Sequence, residues 1–350
     1  MSYTFASTQG VTFSDLIEKT YRRLLSGSRD LTCQLSTSID NVATTIPLDG
    51  VQSNMVTPGG YLSVDLEVMY VLSWDGNNAY VIRGYSGSKA TAHADDVAVY
   101  VNPKFTKFDI SVALNDDLFD LSSPDNGLYR VDSTAITFNP VFQGYDLGDL
   151  PNNFLDILSI NYRIAPPTHN FPAIRDWRVQ RQMFSAPVSG DTQGVGAADS
   201  IFPSGQGIQL YEGGWPGLPM YLTYSAPFIP LVNLTDDVTQ TPISNLDAND
   251  APYNYGGTVP LGNDGTPLKF PNLPTTCLDI PVLGAQIALM ASREIKRNFI
   301  ESQPDARKAT EVPAGATSAS VKSLIMQRQA RIDAEAGRLA RQYNVRLRSW

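Results

Sequence analysis

Histidine, cysteine and charge are all scarce in this sequence. Two of its 350 residues are histidine, two are cysteine, and only 17% are charged. Cys33 and Cys277 stand far apart with no CxxC pair. That argues against a disulfide framework or a structural zinc site and fits a chain made in a reducing cytoplasm. No apolar run approaches the roughly eighteen residues of a membrane helix, so no membrane partner is expected. The opening Met-Ser-Tyr-Thr-Phe lacks the basic stretch and apolar run of a secretory signal.

Catalytic signatures are missing as well. No HExxH, GxSxG or GxxxxGKS/T occurs, so a zinc protease, an α/β-hydrolase and a P-loop ATPase have no support. Gly194-Val195-Gly196 lacks the strand–helix context of a dinucleotide loop. His93 and His169 lie far apart in polar stretches, where a histidine reads as a surface group rather than a base. Asp116-Asp117, Asp236-Asp237 and Asp247-Ala248-Asn249-Asp250 offer carboxylates for calcium or a glycosidase pair. Paired aspartates are commonplace in turns, where they bond to their own backbone, and the turn reading is preferred. Asn233-Leu234-Thr235 matches a glycosylation sequon that a cytoplasmic product would not use. The expectation is a protein that is not an enzyme, with no cofactor, no metal and no catalytic residue.

What is present points to a mainly β protein. Apolar residues make up 42%, enough for a sizeable core, and 26 Gly, 24 Pro, 16 Tyr and 14 Phe favour short strands joined by turns. Phe13, Leu16, Ile17, Tyr21, Leu24 and Leu25 recur at helical spacing over about 12–25, ahead of Ser26-Gly27-Ser28. Residues 30–103 read as a small β module with strands at 44–48, 61–72, 79–83 and 96–101. Trp74-Asp75-Gly76-Asn77-Asn78 supplies its turn chemistry. A helix is expected over 105–121, with Phe108, Val112, Leu114, Leu118 and Leu121 as its apolar stripe. Strands follow at 135–138, 154–164, 177–184, 208–211 and 219–228, as in a sandwich. Residues 236–276 are rich in Asp, Asn, Gly, Pro and Thr and read as a long loop or arm. Two helices close the chain, at about 278–299 and 318–343. The fold class is α+β, mainly β: an N-terminal helix, a small β module, a central β-sandwich-like domain and two C-terminal helices. The expected division is 1–29, 30–103, 104–276 and 277–350.

Charge is unevenly spread. Residues 292–350 carry 12 Lys and Arg against 6 Asp and Glu, leaving 14 basic and 29 acidic groups in the first 291. An acidic body therefore bears a basic tail. Arg328, Arg331, Arg338 and Arg341 fall at helical spacings. Interleaved Asp333 and Glu335 and the lack of stacking aromatics weigh against DNA readout. A solvated helix face and a helix docking on an acidic partner remain. The stripe of Val321, Leu324, Ile325, Ile332, Ala336 and Leu339 is thin for a helix standing alone, which favours a partner surface.

One stretch has a recognisable pattern. Asp65-Leu66-Glu67 is followed by Arg83-Gly84, by Gly87-Ser88-Lys89-Ala90, and by His93 and Val97. This resembles a β module that recurs in tailed-bacteriophage structural proteins, with Asp96 where a Gly is more usual. Gly84 and Gly87 permit the turn, Arg83 is placed to pair with Glu67 across strands, and His93 to pin a loop. Leu283-Gly284-Ala285-Gln286-Ile287-Ala288-Leu289-Met290-Ala291 resembles the helix near the end of head-to-tail connector, or neck adaptor, proteins. Residues 315–350 resemble the arms with which adaptors grip the portal. The resemblance covers most of the layout and is thinnest over 130–275.

It implies a homo-oligomeric ring, commonly a dodecamer, in the virion neck between capsid vertex and tail, assembled in the host cytoplasm. Its partners would be the portal protein, further copies of itself, a downstream neck or tail protein, and passing genomic DNA without sequence-specific binding. The portal-docking residues implied are Val321, Leu324, Ile325, Arg328, Arg331, Ile332, Arg338, Leu339, Arg341 and Trp350. Another phage tail or baseplate protein is the alternative. A carbohydrate-binding protein using Trp74, Trp177, Trp215 and Tyr211 as a platform is a more distant one.

Overall fold

Leu16, Ile17 and Tyr21 recur at helical spacing and all three are buried. They line one face of helix α1, Phe13–Leu25, which starts with Asp15 and ends with Arg22 and Arg23, as its dipole favours. The Tyr21 ring meets Tyr100 edge-on at 5.8 Å, and its hydroxyl donates to Asp30 at 2.7 Å. The structure is a computed structural model, and it describes residues 13–25, 30–138, 144–148, 150, 154–163, 171–181, 205–211, 219–228, 275–301 and 316–342. The long loop expected at 236–276 lies outside them except at its end.

After α1 come six short strands: β1 Leu31–Leu35, β2 Thr45–Asp49, β3 Tyr61–Val64, β4 Glu67–Trp74, β5 Asn78–Ile82 and β6 Ala98–Val101. They close into an antiparallel barrel in the order β1-β2-β5-β4-β3-β6. Closure leaves no unpaired edge. Alternate residues fill the inside: Leu35, Ile46, Leu62, Met69, Ala79 and Val99 are fully buried. The expected single strand at 61–72 is instead a hairpin. Val64 pairs with Glu67, and Asp65, with φ 50°, makes the reversal without a glycine or proline to announce it.

Three further helices accompany the barrel. In α2, Lys107–Leu121, the buried face is Ile110, Ser111, Ala113, Leu114, Leu118 and Leu121. Val112, expected in the stripe, is 39% exposed. The buried row continues Ile110, Leu114, Leu118 and Leu121 at three- and four-residue steps, and Val112 falls on the opposite side. Helix α3, Asp279–Glu301, carries Pro281 in its first turn, where no intrahelical N–H is lost. Ile280, Val282, Leu283 and Ala285 are all buried, so its first two turns are covered on every side. It packs against α1 and α2. Helix α4 spans Ala316–Gln342.

A second set of strands builds two antiparallel sheets. β7 Arg130–Thr137, β9 Asp156–Tyr162, β10 Ala173–Ile174 and β13 Pro219–Ala226 make one, in the order β10-β9-β13-β7. β8 Gly144–Asp146, β11 Trp177–Gln180 and β12 Gly207–Leu210 make the other, in the order β11-β12-β8. Residues of both sheets, among them Tyr145, Ile160, Ile208 and Leu222, fill one core. This is the sandwich-like region, and the fold is α+β and mainly β. The chain groups into two compact units, Met1–Leu121 with Ile229–Glu335 and Ser122–Phe228 with Ala336–Trp350. The boundary anticipated at 103–104 falls inside the first unit, because α2 packs on α1 and α3.

Candidate functional site

Glu67 opens β4 and is fully buried, yet every lone pair it offers is used. Arg83, just past β5, grips it bidentately, Nε donating to Oε1 at 2.6 Å and a terminal nitrogen to Oε2 at 2.7 Å. The Gly84 and Thr91 amides donate to the same carboxylate at 3.1 Å each. Arg83 also donates to the carbonyls of Asp40, Ala43 and Thr91 at 2.6–2.9 Å. His93 stands between Glu67 at 2.9 Å and Asp65 at 3.1 Å, and its backbone bridges to Ile39. Four chain segments, 39–43, 65–67, 83–84 and 91–93, are thus stapled together.

Two carboxylates, a guanidinium and an imidazolium balance in charge. Burial pushes the Glu67 carboxyl up, but bonds from Arg83, His93 and Thr91 outweigh it and hold it at about 2. Burial pushes His93 down, and Asp65 and Glu67 reverse that, leaving its pKa above the ordinary value. Gly84 has φ 60° and a carbonyl only 3.0 Å from where a Cβ would sit, and Gly87 has φ 84°. Both positions therefore need glycine. Asp96, at φ 61°, occupies the same left-handed region without being one. The Glu67 carboxylate and the Arg83 guanidinium spend all their hydrogen bonds within this network.

The arginines of α4 have quite different surroundings. A terminal nitrogen of Arg328 donates to Asp117 at 2.8 Å and Asp120 at 2.7 Å. Arg331 donates to Asp279 at 2.8 Å and to the Thr276 carbonyl at 2.7 Å. Helix α4 is thereby held on α2 and on the start of α3. Asp117 lies so close to Gly284 that a Cβ there would overlap its carboxylate. Burial pushes the Asp117 carboxyl up to about 7 against the pull of Arg328. Neither Asp117 Oδ2 nor Arg328 Nε has a hydrogen-bond partner among the described residues. Both residues line a cleft of 280 Å³ between α2, α3 and α4.

The barrel wall outside carries an aromatic cluster. Tyr70 and Tyr85 stack with centroids 5.2 Å apart, and Tyr61 meets both rings at a tilt, 5.5–5.8 Å away. Leu72 on β4, and Tyr80 and Ile82 on the neighbouring β5, are 53%, 41% and 47% exposed. Tyr61, Tyr70 and Ile82 are register neighbours across β3, β4 and β5, so the cluster spans three adjacent strands of the wall.

Of the residues singled out on sequence, Glu67, Arg83, Gly84 and His93 meet in the buried network, and Gly87 shapes the loop beside it. Arg328, Arg331 and the buried Ile332 are engaged within the chain. Val321 and Leu324 are half-buried and Leu339 is buried, while Ile325, Arg338 and Arg341 are exposed. Trp350 lies outside the described residues, as do His169, Asn233 and the aspartates at 236–250. The Asp116-Asp117 pair sits within α2 rather than in a turn. His93, read as a surface group, is buried between two carboxylates. Trp74 packs on the barrel core and Trp177 on the sandwich core, both partly buried. Trp215 is outside the described residues. Among the described residues no group of three or more His, Cys, Asp or Glu is placed to hold a metal, and no helix is long and apolar enough to cross a membrane.

Sequence did not single out Asp117, Asp120, Asp279 or Gly284 as a group. One signal was available: a glycine inside an otherwise apolar helical run marks a close approach. No protein-family model matches the chain, and no curated protein matches it.

Proposed function

We propose that this chain is a non-enzymatic structural protein of a tailed-phage virion, a head-to-tail connector. It forms a homo-oligomeric ring in the neck, binds the portal protein, joins it to a downstream neck or tail protein and continues the DNA channel. One observation carries the reading. Helix α4 is pinned to its own body by Arg328 and Arg331, yet on its opposite side Met326 is 66% exposed and Arg341 is exposed beside it. A long helix held rigidly with an apolar and basic outer row suits docking into a groove of a protein partner. The clamped barrel supports it, because its apolar tyrosine wall suits contacts between ring neighbours. The acidic balance of the first 291 residues suits a channel along which DNA slides without sticking.

Substitution of the outer row tests the reading better than removal of the helix, which would strip the cover from α2 and α3. Met326→Asp combined with Arg341→Glu should leave the thermal melt unchanged and abolish co-assembly with portal rings from the same virion. Undiminished co-assembly would sink the portal assignment. Labelled copies found at the tail tip instead of the neck would favour the baseplate alternative.

A further inference from the structure

The cleft between α2, α3 and α4 combines features that the helix packing does not use. Among the described residues its polar wall holds Asp116, Asp117 and Asp120 against a single cation, Arg328. Its apolar wall is Ile287, Ala288 and Ile325. The Asp117 side chain is only 9% exposed, and its Oδ2 accepts nothing from the described residues. A buried carboxylate oxygen left without a donor costs about 1–3 kcal/mol. Such a site favours an occupant that brings an N–H. With two further carboxylates at hand and an apolar wall beside them, an arginine fits: the guanidinium reaches the acids and its methylenes cover the isoleucines.

This chain contains a matching segment. Residues 344–350 read Asn-Val-Arg-Leu-Arg-Ser-Trp, with two arginines, no acid, and Val345 and Leu347 between and beside them. We propose that the cleft receives this basic segment from a neighbouring copy of the chain, Arg346 or Arg348 donating to Asp117 and Asp116. The assignment rests on the ring reading above: one patch of each copy meets a different patch of the next, the heterologous contact that closes rings. It adds to that reading which surfaces meet.

Two full-length variants test it, Gln329→Cys in the cleft wall and Ser349→Cys in the segment. The native Cys33 and Cys277 are buried and stay silent. Mixed and mildly oxidised, the two preparations should give a disulfide-linked pair of unlike chains that neither gives alone. Adding Arg346→Ala and Arg348→Ala to the Ser349→Cys chain should lower that product about tenfold or more, the loss of one charge-assisted contact. A mixture with no linked pair overturns the assignment. So does a Gln329→Cys/Ser349→Cys chain that closes on itself and links to no neighbour. Mass measurement of the unaltered protein separates the two levels. Rings without the cross-link sink the cleft assignment alone, and a protein that never forms rings sinks the connector reading with it.

Discussion

Two arginines hold carboxylates in this protein, and their surroundings differ in kind. Arg83 in the barrel lies among partners that satisfy Glu67 completely: two contacts from the guanidinium, two from backbone amides and one from His93. Arg328 on α4 binds two aspartates through one nitrogen and leaves its own Nε and the far oxygen of Asp117 without partners among the described residues. A saturated network specifies one geometry and stops there, whereas a partly filled one retains capacity for a further group. The barrel is a finished part. The helical cleft is an unfinished one, where Asp117 Oδ2 accepts nothing from the described residues.

The largest effects should come from breaking the saturated side. Arg83→Met leaves the fully buried Glu67 charge without its counter-ion and should cost about 3–5 kcal/mol, read by urea unfolding. Glu67→Leu alone should cost a similar amount, because it strands Arg83. The double variant should recover most of the loss, since an apolar pair of similar volume often matches a buried ion pair. A double variant as unstable as the singles would mean that the network's hydrogen bonds to Gly84 and Thr91, and not its charge balance, hold the barrel end together.

On the unfinished side the most sensitive position is Gly284. Gly284→Ala drives a methyl into the Asp117 carboxylate, and overpacking of this kind costs about 1–3 kcal/mol. Asp117→Ala on the same chain makes room and should return much of that loss. A double-mutant cycle measures the coupling directly. Additive losses would show that Gly284 is needed for some reason other than the carboxylate beside it.

The same contrast governs what sequence could reveal. The barrel network was legible as a pattern because its members sit at strand ends and in glycine-marked loops, where Asp65, Glu67, Arg83 and His93 are punctuated by Gly84 and Gly87. The burial of His93 was not legible, since the polar loop that carries it is folded inward only by residues some 26 positions away. The β3–β4 hairpin escaped notice because Asp65 takes a positive φ that nothing in Val64-Asp65-Leu66-Glu67 signals. The Arg328–Asp120 contact joins residues 208 positions apart in the chain, and Asp117 lies as remote from Arg328. No local periodicity encodes such a pairing. The helices themselves were legible to within a few residues, because their apolar spacing is local information.

Titration separates the two regions. Glu67 sits near 2 against an ordinary 4.5, so its contribution is full above about pH 4.5 and disappears as pH falls towards 2. His93 is shifted upward from 6.5, so its contribution is full below 6.5 and lost as pH rises through the shifted value. Asp117 behaves in the opposite way to Glu67. Its folded carboxyl, near 7 against 3.8, favours the protonated state, so stability declines as pH rises from about 4 to 7 and then levels. Thermal melts should therefore show two declines as pH rises, one between about 4 and 7 and a later one above 6.5. Each is worth about 1.4 kcal/mol for every tenfold difference in proton affinity between the folded and unfolded chain. His93→Gln should remove the later one and Asp117→Asn the earlier. A single variant that flattens both would show that the regions titrate as one.

The smallest expected change refines the finished part without breaking it. Asp96 holds φ 61° at the approach to β6, and an L-residue in that region pays about 1 kcal/mol that glycine does not, with aspartate among the better tolerated. Gly brings a cost of its own through the greater freedom of the unfolded chain. Asp96→Gly should therefore raise stability by a few tenths of a kcal/mol up to about 1 kcal/mol, while Asp96→Val should lower it by at least as much. Both shifts are readable as displaced urea midpoints at unchanged slope. A stabilised glycine variant would show that Asp96, one of several non-glycine residues of the barrel at positive φ, carries backbone strain. A destabilised one would mean that the Asp96 side chain makes a contact worth more than the backbone strain it carries.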